Sequence, residues 1–411
     1  MPLLIEMDLP LLRAELPEFS ADPVPFVEEA RRQHPWLARS AVGGYIVHGY
    51  HAAKDIIGAD EDTHPFYPGF AQFYDAEGTG WGDFISGMMN ACVGEKHRRL
   101  RVSVQSAFSP KNINRYRGLM REVVSDLLDE WAPRGKFDFA DFAANFPITV
   151  FCGLLGVSSD VVPRIRDALE AQTASVSLNR DLRDSILAAY DVLWDFADSA
   201  IREREKSGGG TEGLIDTMLA SKAAGMIDDT EMRQNLIMFA AGGYDTSKNM
   251  LSLIVYILLE HPAIWERCAE DIGYCRKVVN EALRFSGTST VYRTAARDFV
   301  YDGVTIPKGT MLILMVSMAG RDPSVFADAG HFDPERKNAS QHVAFGRGEH
   351  YCIGMHLARA QIEEGLQLVA QRLRRPRLAG EVLWRPYMGV WGPLELPIEF
   401  DPAPARERMP A

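Results

Sequence analysis

"HVAFGRGEHYCIGMHLARA", residues 342–360, decides the fold. It sets one cysteine, Cys352, behind a glycine-broken loop and directly ahead of a strongly helical run. Gly348 and Gly354 let the backbone adopt positive φ and approach a flat partner closely. A helix beginning near Ile353 turns unpaired N–H groups back toward the sulfur, which favours thiolate over thiol. Thiolate is the form that binds metal. A sulfur on an open loop, with room on one face, suits axial ligation of iron in a planar macrocycle.

The other cysteines offer Cys352 no partner. The chain has five, Cys92, Cys152, Cys268, Cys275 and Cys352, and no Cys-x-x-Cys pair. An odd number spread over 411 residues fits neither a disulfide framework nor a zinc knuckle. Cys268 and Cys275 read as packing residues on one helical face. With 46% hydrophobic and 24% charged residues the composition is that of a globular chain, expected as a single domain over residues 1–411. A net charge of −12 argues against a general nucleic-acid binder. The opening "MPLLIEMDLPLLRAELPEF" is broken by acids and prolines, unlike a signal peptide, and the longest apolar run, "LSLIVYILLEHP" from Leu251, is too short to span a bilayer. The expectation is a soluble, cytoplasmic monomer.

Periodicity predicts a mainly α protein with small β sheets. A short hairpin and a helix are expected over 36–58, then an irregular, aromatic-rich loop over 64–86. Helices dominate from Gly94 to about Leu219, with an exposed loop at 206–213 (KSGGGTEG). Asp228, Asp229 and Thr230 offer N-caps for an unusually long helix running to about His261. Beyond Arg284 the pattern turns to short β-branched runs. The β-rich regions fall near 36–60, near 286–320 and at the C-terminus, where "LELPIEF" reads as a strand.

Phe345, Gly348, Cys352 and Gly354 stand in the order Phe-x-x-Gly-x-x-x-Cys-x-Gly, and "FGRGEHYCIG" resembles the haem-binding signature of the cytochrome P450 family. Four other stretches carry the same resemblance. "NEALRF" supplies Glu281 and Arg284, three apart on one helical face, about 70 residues before the cysteine. With Arg336 of "FDPERK" they match the family's buried Glu-Arg-Arg network, a structural rather than catalytic set. "FAAGGYDTSKN" puts Gly242 and Gly243 in a helix interior, each costing about 1 kcal/mol relative to alanine. They signal either close helix packing or a local opening of the helix, in which the Thr246 hydroxyl bonds the Gly242 carbonyl. Asp245 and Thr246 hold the acid and alcohol positions of the family's oxygen-activation motif. Lys248 and Asn249, just downstream, are more polar than that motif explains. "GEKHRRLRVSVQSAFSP" places His97 and Arg101 four apart. The resemblance makes them partners of the haem propionates, together with Arg293 and His350.

The resemblance implies a cytochrome P450 fold with a long central helix over haem b, and Cys352 as axial ligand of the iron. It implies a monooxygenase that inserts one atom of O2 into a hydrophobic small molecule such as a terpenoid, steroid or aromatic compound. Catalytic roles fall to Asp245 and Thr246 in proton delivery. Expected pocket walls are Phe70, Phe73, Trp81, Phe84, Met238, Phe239, Ala241, Gly242, Thr288, Ser289, Val291, Val390 and Trp391. The hydroxyls of Ser286, Thr288, Ser289 and Thr290 are candidates to hold an oxygen function of the ligand. No flavin, nicotinamide or iron–sulfur segment fits the chain, so electrons from NAD(P)H are expected through a separate ferredoxin and its reductase. Lys96, Arg98, Arg99, Lys111, Arg347 and Arg359 would give an acidic ferredoxin a basic face. The rival readings are a peroxide-driven peroxygenase, a non-catalytic haem-thiolate sensor, and ring coupling or decarboxylation in place of hydroxylation.

Overall fold

A computed structural model of the chain describes residues 2–208 and 213–403. The long helix spans Asp229–Leu258 and starts in a capping box. The Asp228 carboxylate accepts the Glu231 N–H at 2.7 Å, and the Glu231 carboxylate accepts the Asp228 N–H at 3.2 Å. It stops three residues short of the expected end, because His261 precedes Pro262 and a new helix, Pro262–Glu270, begins there. This central helix packs against the helix Phe139–Leu155 on one side and the helix Met355–Arg372, which follows the cysteine, on another. Gly365 makes that second contact possible. A Cβ there would lie 3.6 Å from Leu251 of the central helix and only 2.8 Å from the Phe146 ring of the helix Phe139–Leu155.

Beside the helices lies a six-stranded sheet in the order Leu11–Leu12, Leu37–Ser40, Tyr45–Val47, Met311–Leu314, Val291–Ala295, Thr63–Pro65. The predicted hairpin pairs Leu37 with Val47, and its second strand runs parallel to Met311–Leu314, with Tyr45 opposite Leu312. Leu312 and Pro65 flank Arg293 from either side, which fixes that arginine inside the sheet. The C-terminal strand, Pro397–Pro402, joins Leu373–Leu378 and Lys136–Asp138 in a second sheet. Among the described residues no helix is long and apolar enough to cross a membrane. Residues 209–212 of the loop expected at 206–213 lie outside the described residues.

Residues 64–86 differ from expectation. The aromatic stretch folds into two short helices, Tyr67–Phe73 and Gly80–Gly87. The Thr79 hydroxyl caps the second by accepting the Gly82 N–H at 3.1 Å. Between them Asp75 and Gly78 take φ of 49° and 76°, so the turn is tight enough to be missed as a helix boundary.

The segment between the sheet and the cysteine loop has little regular structure and is anchored by side chains. Glu281 and Arg284 are both 0% exposed. Arg284 donates to the two carboxylate oxygens of Glu281 at 2.6 and 2.8 Å, and Arg336 donates to the same carboxylate at 3.1 Å. Arg284 also donates to the carbonyls of Gly320, Ala329 and His331, and Arg336 to those of Ala327, Asp328 and His331. One carboxylate thus ties the helix Ile272–Phe285 to a whole irregular segment leading to Cys352. Removing one partner strands a buried charge. Glu281→Ala is expected to lower unfolding free energy by about 3–5 kcal/mol in denaturant titrations, far more than an exposed pair such as Arg98–Glu95 would.

Candidate active site

The cysteine loop is built on two left-handed glycines, but they are Gly346 (φ 72°) and Gly348 (φ 70°). Gly354, expected to share that role, sits at φ −82° and serves the sulfur instead. A Cβ on Gly354 would lie 4.0 Å from the Cys352 Sγ, and the bare residue leaves that side of the sulfur open. The Cys352 N–H donates to the Phe345 carbonyl at 2.9 Å and closes the loop. The helix begins at Met355, later than Ile353. Burial pushes the Cys352 thiol up, while the Gly354 N–H and the Arg101 guanidinium pull it down. The N–H at the helix start therefore opposes burial, in the direction the sequence predicts. A metal cation facing the sulfur is what would ionise it.

Cys352, Phe345 and Gly354 line a mainly apolar cavity, and Gly242, Gly243 and Thr246 of the central helix line the same cavity. A Cβ on either Gly242 or Gly243 would meet nothing within 4 Å, so close helix packing does not explain these glycines. They face open space. The helix stays continuous through them, without the predicted local opening. The Thr246 hydroxyl does bond the Gly242 carbonyl as expected, at 2.8 Å.

At the side of the cavity His97, Arg101, Arg293 and His350 form a nest of donors. His97 and His350 rings lie 4.3 Å apart. Both ring nitrogens of His97, and Nε and Nη1 of Arg293, are buried without a partner. Arg293 spends only Nη2, on the Ile57 carbonyl at 2.8 Å, and Arg101 donates to the Tyr351 carbonyl at 2.7 Å. Burial, helped by Arg293, lowers His350 to about 3, and burial also lowers His97. The imidazoles are therefore neutral at pH 7 while the two arginines are charged. Buried unpaired donors beside two cations call for an anion. The carboxylates of a porphyrin would meet that demand, so the residues fit haem.

Asp245 and Thr246 are adjacent in sequence but face different surroundings. Thr246 lines the cavity. Asp245 is 0% exposed and points into a charged cluster. Its Oδ1 accepts from Arg385 at 2.6 Å and from Asn249 at 2.9 Å, with the Lys248 ammonium at 3.4 Å. Its Oδ2 is buried and unpartnered. Lys248 and Tyr244 also donate to Glu170, of the helix Val162–Ala174, and Arg385 donates to that carboxylate at 2.9 Å. The cluster explains the polarity of Lys248 and Asn249. Arg385 and Glu170 carried no signal in the sequence.

Of the expected walls, Phe70, Phe84, Met238, Phe239, Ala241, Gly242, Thr288, Ser289, Val291 and Val390 line the cavity. Phe73, Trp81 and Trp391 do not. Phe73 packs beneath the Arg180 guanidinium, Trp81 donates to Gln172 at 3.1 Å, and Trp391 donates to the Ser20 carbonyl at 2.8 Å while stacking on Trp384. Tyr67 of the aromatic stretch lines the cavity too, and Phe108, Phe151 and Tyr292 are walls the sequence reading missed.

The charged cluster gives a pH prediction. Burial alone would raise Glu170, but Lys248 and Arg385, aided by the Lys248 and Tyr244 hydrogen bonds, hold it down at about 2 against an ordinary 4.5. A depressed folded value contributes stability above the unfolded one, and that stability is lost as pH falls from about 4.5 through about 2. In acid-unfolding measurements the stability gap between wild type and Glu170→Gln is expected to shrink over that window. A gap that stays constant from pH 5 to pH 2 would contradict the cluster.

Comparison with known proteins agrees with this geometry. The family model for cytochrome P450 matches residues 40–376. Luteothin monooxygenase of Streptomyces thioluteus is 34% identical over 406 residues, covering 96% of this chain and 97% of that protein. The 20-oxo-5-O-mycaminosyltylactone 23-monooxygenase of Streptomyces fradiae is 30% identical over 310 residues, with 74% and 72% coverage. Among solved structures, P450BioI bound to an acyl carrier protein ligated to hexadec-9Z-enoic acid superposes with a TM-score of 0.85 at 26% identity, covering 93% of this chain and 100% of that one. A match along most of the chain, by sequence and by fold, makes this protein a member of the cytochrome P450 family, a monooxygenase whose chemistry uses haem and O2.

Proposed function

We propose that the chain acts as a single cytoplasmic domain that oxygenates an uncharged, largely apolar organic molecule of terpenoid, steroid or aromatic character. Electrons come from NAD(P)H through a separate ferredoxin and reductase. The observation that carries this reading is that Cys352 and Thr246 line one cavity, with open space beside Gly242 and Gly243. When bound, haem supplies the iron that activates O2. The protein does the rest. His97, Arg101, Arg293 and His350 hold its carboxylates, and Cys352 offers the sulfur. The Thr246 hydroxyl donates to the Gly242 carbonyl, so its lone pairs remain free to hold a proton-bearing water in the cavity. Asp245, one residue away but bonded to Arg385 and Asn249, would relay a proton to that water by swinging out of the charged cluster. Aromatic and aliphatic walls, with Phe70, Phe84, Phe108, Phe151 and Phe239 among them, exclude bulk water and favour an apolar ligand.

The cysteine side supports an anionic redox partner. A surface groove of about 620 Å³ beside Tyr351 is lined by His51, Lys54 and Arg347. Lys96, Arg98 and Lys111 are exposed, although Arg98 is shared with Glu95. Arg99 and Arg359 contribute less than expected, since they are engaged by Glu231 and Asn280. On a chain of net charge −12, a local positive groove favours an acidic protein such as a ferredoxin.

Thr246 gives the sharpest functional test. With ferredoxin, reductase and NADPH, Thr246→Ala is expected to keep consuming NADPH while product per NADPH falls about tenfold or more. Unchanged coupling in that variant, or full turnover on H2O2 with none through ferredoxin, would favour the peroxygenase reading. NADPH left unconsumed with every substrate tried would favour the sensor.

A further inference from the structure

One side chain in the cavity wall carries a hydrogen-bond donor that the protein leaves unused. Gln172 lies near the end of the helix Val162–Ala174, is 5% exposed and lines the cavity. Trp81, of the helix Gly80–Gly87, donates its indole N–H to the Gln172 side chain at 3.1 Å. An indole N–H can only donate, so the atom it meets must be the amide oxygen. That settles which way the amide lies. Trp81 takes Oε1, and the NH2 group is left for something else. Among the described residues Nε2 meets no acceptor, yet it is not one of the sealed, unpartnered atoms. It therefore reaches open space, and the space that Gln172 borders is the cavity.

This donor is held in place from two sides. Trp81 is 1% exposed, and its ring meets that of Tyr74 edge-on with 5.6 Å between centroids. The Gln172 carbonyl accepts the Ser175 hydroxyl at 2.6 Å, which fixes the backbone beneath the side chain. Glu170, two residues earlier, reaches Arg385 in the charged cluster. Two steps of about 100° turn Gln172 to the other side of the helix, away from that cluster. Neighbouring hydroxyls are already spent. Thr173 shares its own between the Leu169 and Glu170 carbonyls, both at 3.0 Å. In the serine–threonine stretch expected to hold a ligand oxygen, Thr290 donates to the Tyr387 carbonyl at 3.4 Å, and Ser286 does not line the cavity. The cations that do line it, Arg101 and Arg293, belong to the carboxylate nest.

We propose that Gln172 is a specificity residue whose NH2 group donates to an uncharged carbonyl oxygen of the substrate, with Trp81 behind it as the positioning residue. The assignment rests on the reading of this cavity as the substrate site. It narrows the substrate to an apolar molecule that carries a ketone, lactone or amide carbonyl. A donor already held in one orientation loses little freedom on binding. Hydrocarbon packed against it would leave the amide dry and unbonded, which costs its desolvation. A carboxylate would be buried there with no cation to spare.

N-alkylimidazoles test this role without knowledge of the substrate, because the imidazole binds the haem iron and the chain extends into the cavity. Haem-loaded protein is titrated with chains carrying one C=O at successive positions, and with matched chains carrying CH2 there. Ligation is read from the Soret shift. At one position the ketone is expected to bind about tenfold tighter than its hydrocarbon match. Gln172→Leu should erase that preference, bringing ketone and hydrocarbon to equal affinity. Trp81→Phe, which unpins the amide oxygen, should weaken the preference. Adding Gln172→Leu to Trp81→Phe should remove what remains, without stranding an indole N–H. A ketone preference absent at every position, or one that survives Gln172→Leu in both backgrounds, overturns the role of Gln172. If no imidazole shifts the Soret band at all, the haem-thiolate reading itself fails, and the role of Gln172 falls with it.

Discussion

A slot for a flat macrocycle survives in this protein because the cysteine loop is held from behind by charge that solvent cannot reach. Hydrophobic collapse would draw the central helix and the cysteine-side segment together, since most of the facing surface is apolar. Glu281, Arg284 and Arg336 oppose that collapse by pinning the irregular chain before the loop to a rigid helix. A buried ion pair is a poor source of net stability, but breaking it is costly. That asymmetry suits a positioning device. It holds a loop in one place without having to make the whole protein more stable.

The same separation of tasks runs through the central helix. Successive residues point about 100° apart, so Thr246 can face the cavity while Asp245 faces Arg385. Lys248 and Asn249 follow Asp245 by three and four residues, which returns them to its side of the helix. The result is an alcohol against the apolar cavity and an acid inside a charged cluster. Arg385 precedes the segment of Gly389 and Val390 that lines the cavity, and Glu170 precedes Gln172 and Ser175, which line it too. The acid is therefore tied to two of the walls that a ligand would touch.

The cysteine loop, an N-cap at Asp228–Thr230, the Glu281–Arg284 pair and the Thr246–Gly242 hydrogen bond were legible because each is written in a few neighbouring residues with a definite spacing. The aromatic stretch at 64–86 misled because its glycines and prolines sit at helix ends, where composition resembles a loop. Gly354 misled for a different reason. Nothing local distinguishes a glycine needed for its dihedral from one needed for its missing Cβ. The Asp245–Arg385 and Glu170–Arg385 contacts join residues 140 and 215 positions apart, and no single-sequence pattern links such partners. Tyr292 lay beside Arg293 in a strand, and only the folded sheet shows that it lines the cavity.

The central claim is that the Cys352 sulfur ligates haem iron, and the reduced carbon-monoxide difference spectrum tests it most directly. Protein produced with ample iron and porphyrin precursor should show the red-shifted band of a thiolate-ligated haem, and Cys352→Ser should lose it. A colourless wild-type protein, or a red-shifted band that persists in the serine variant, would contradict the account.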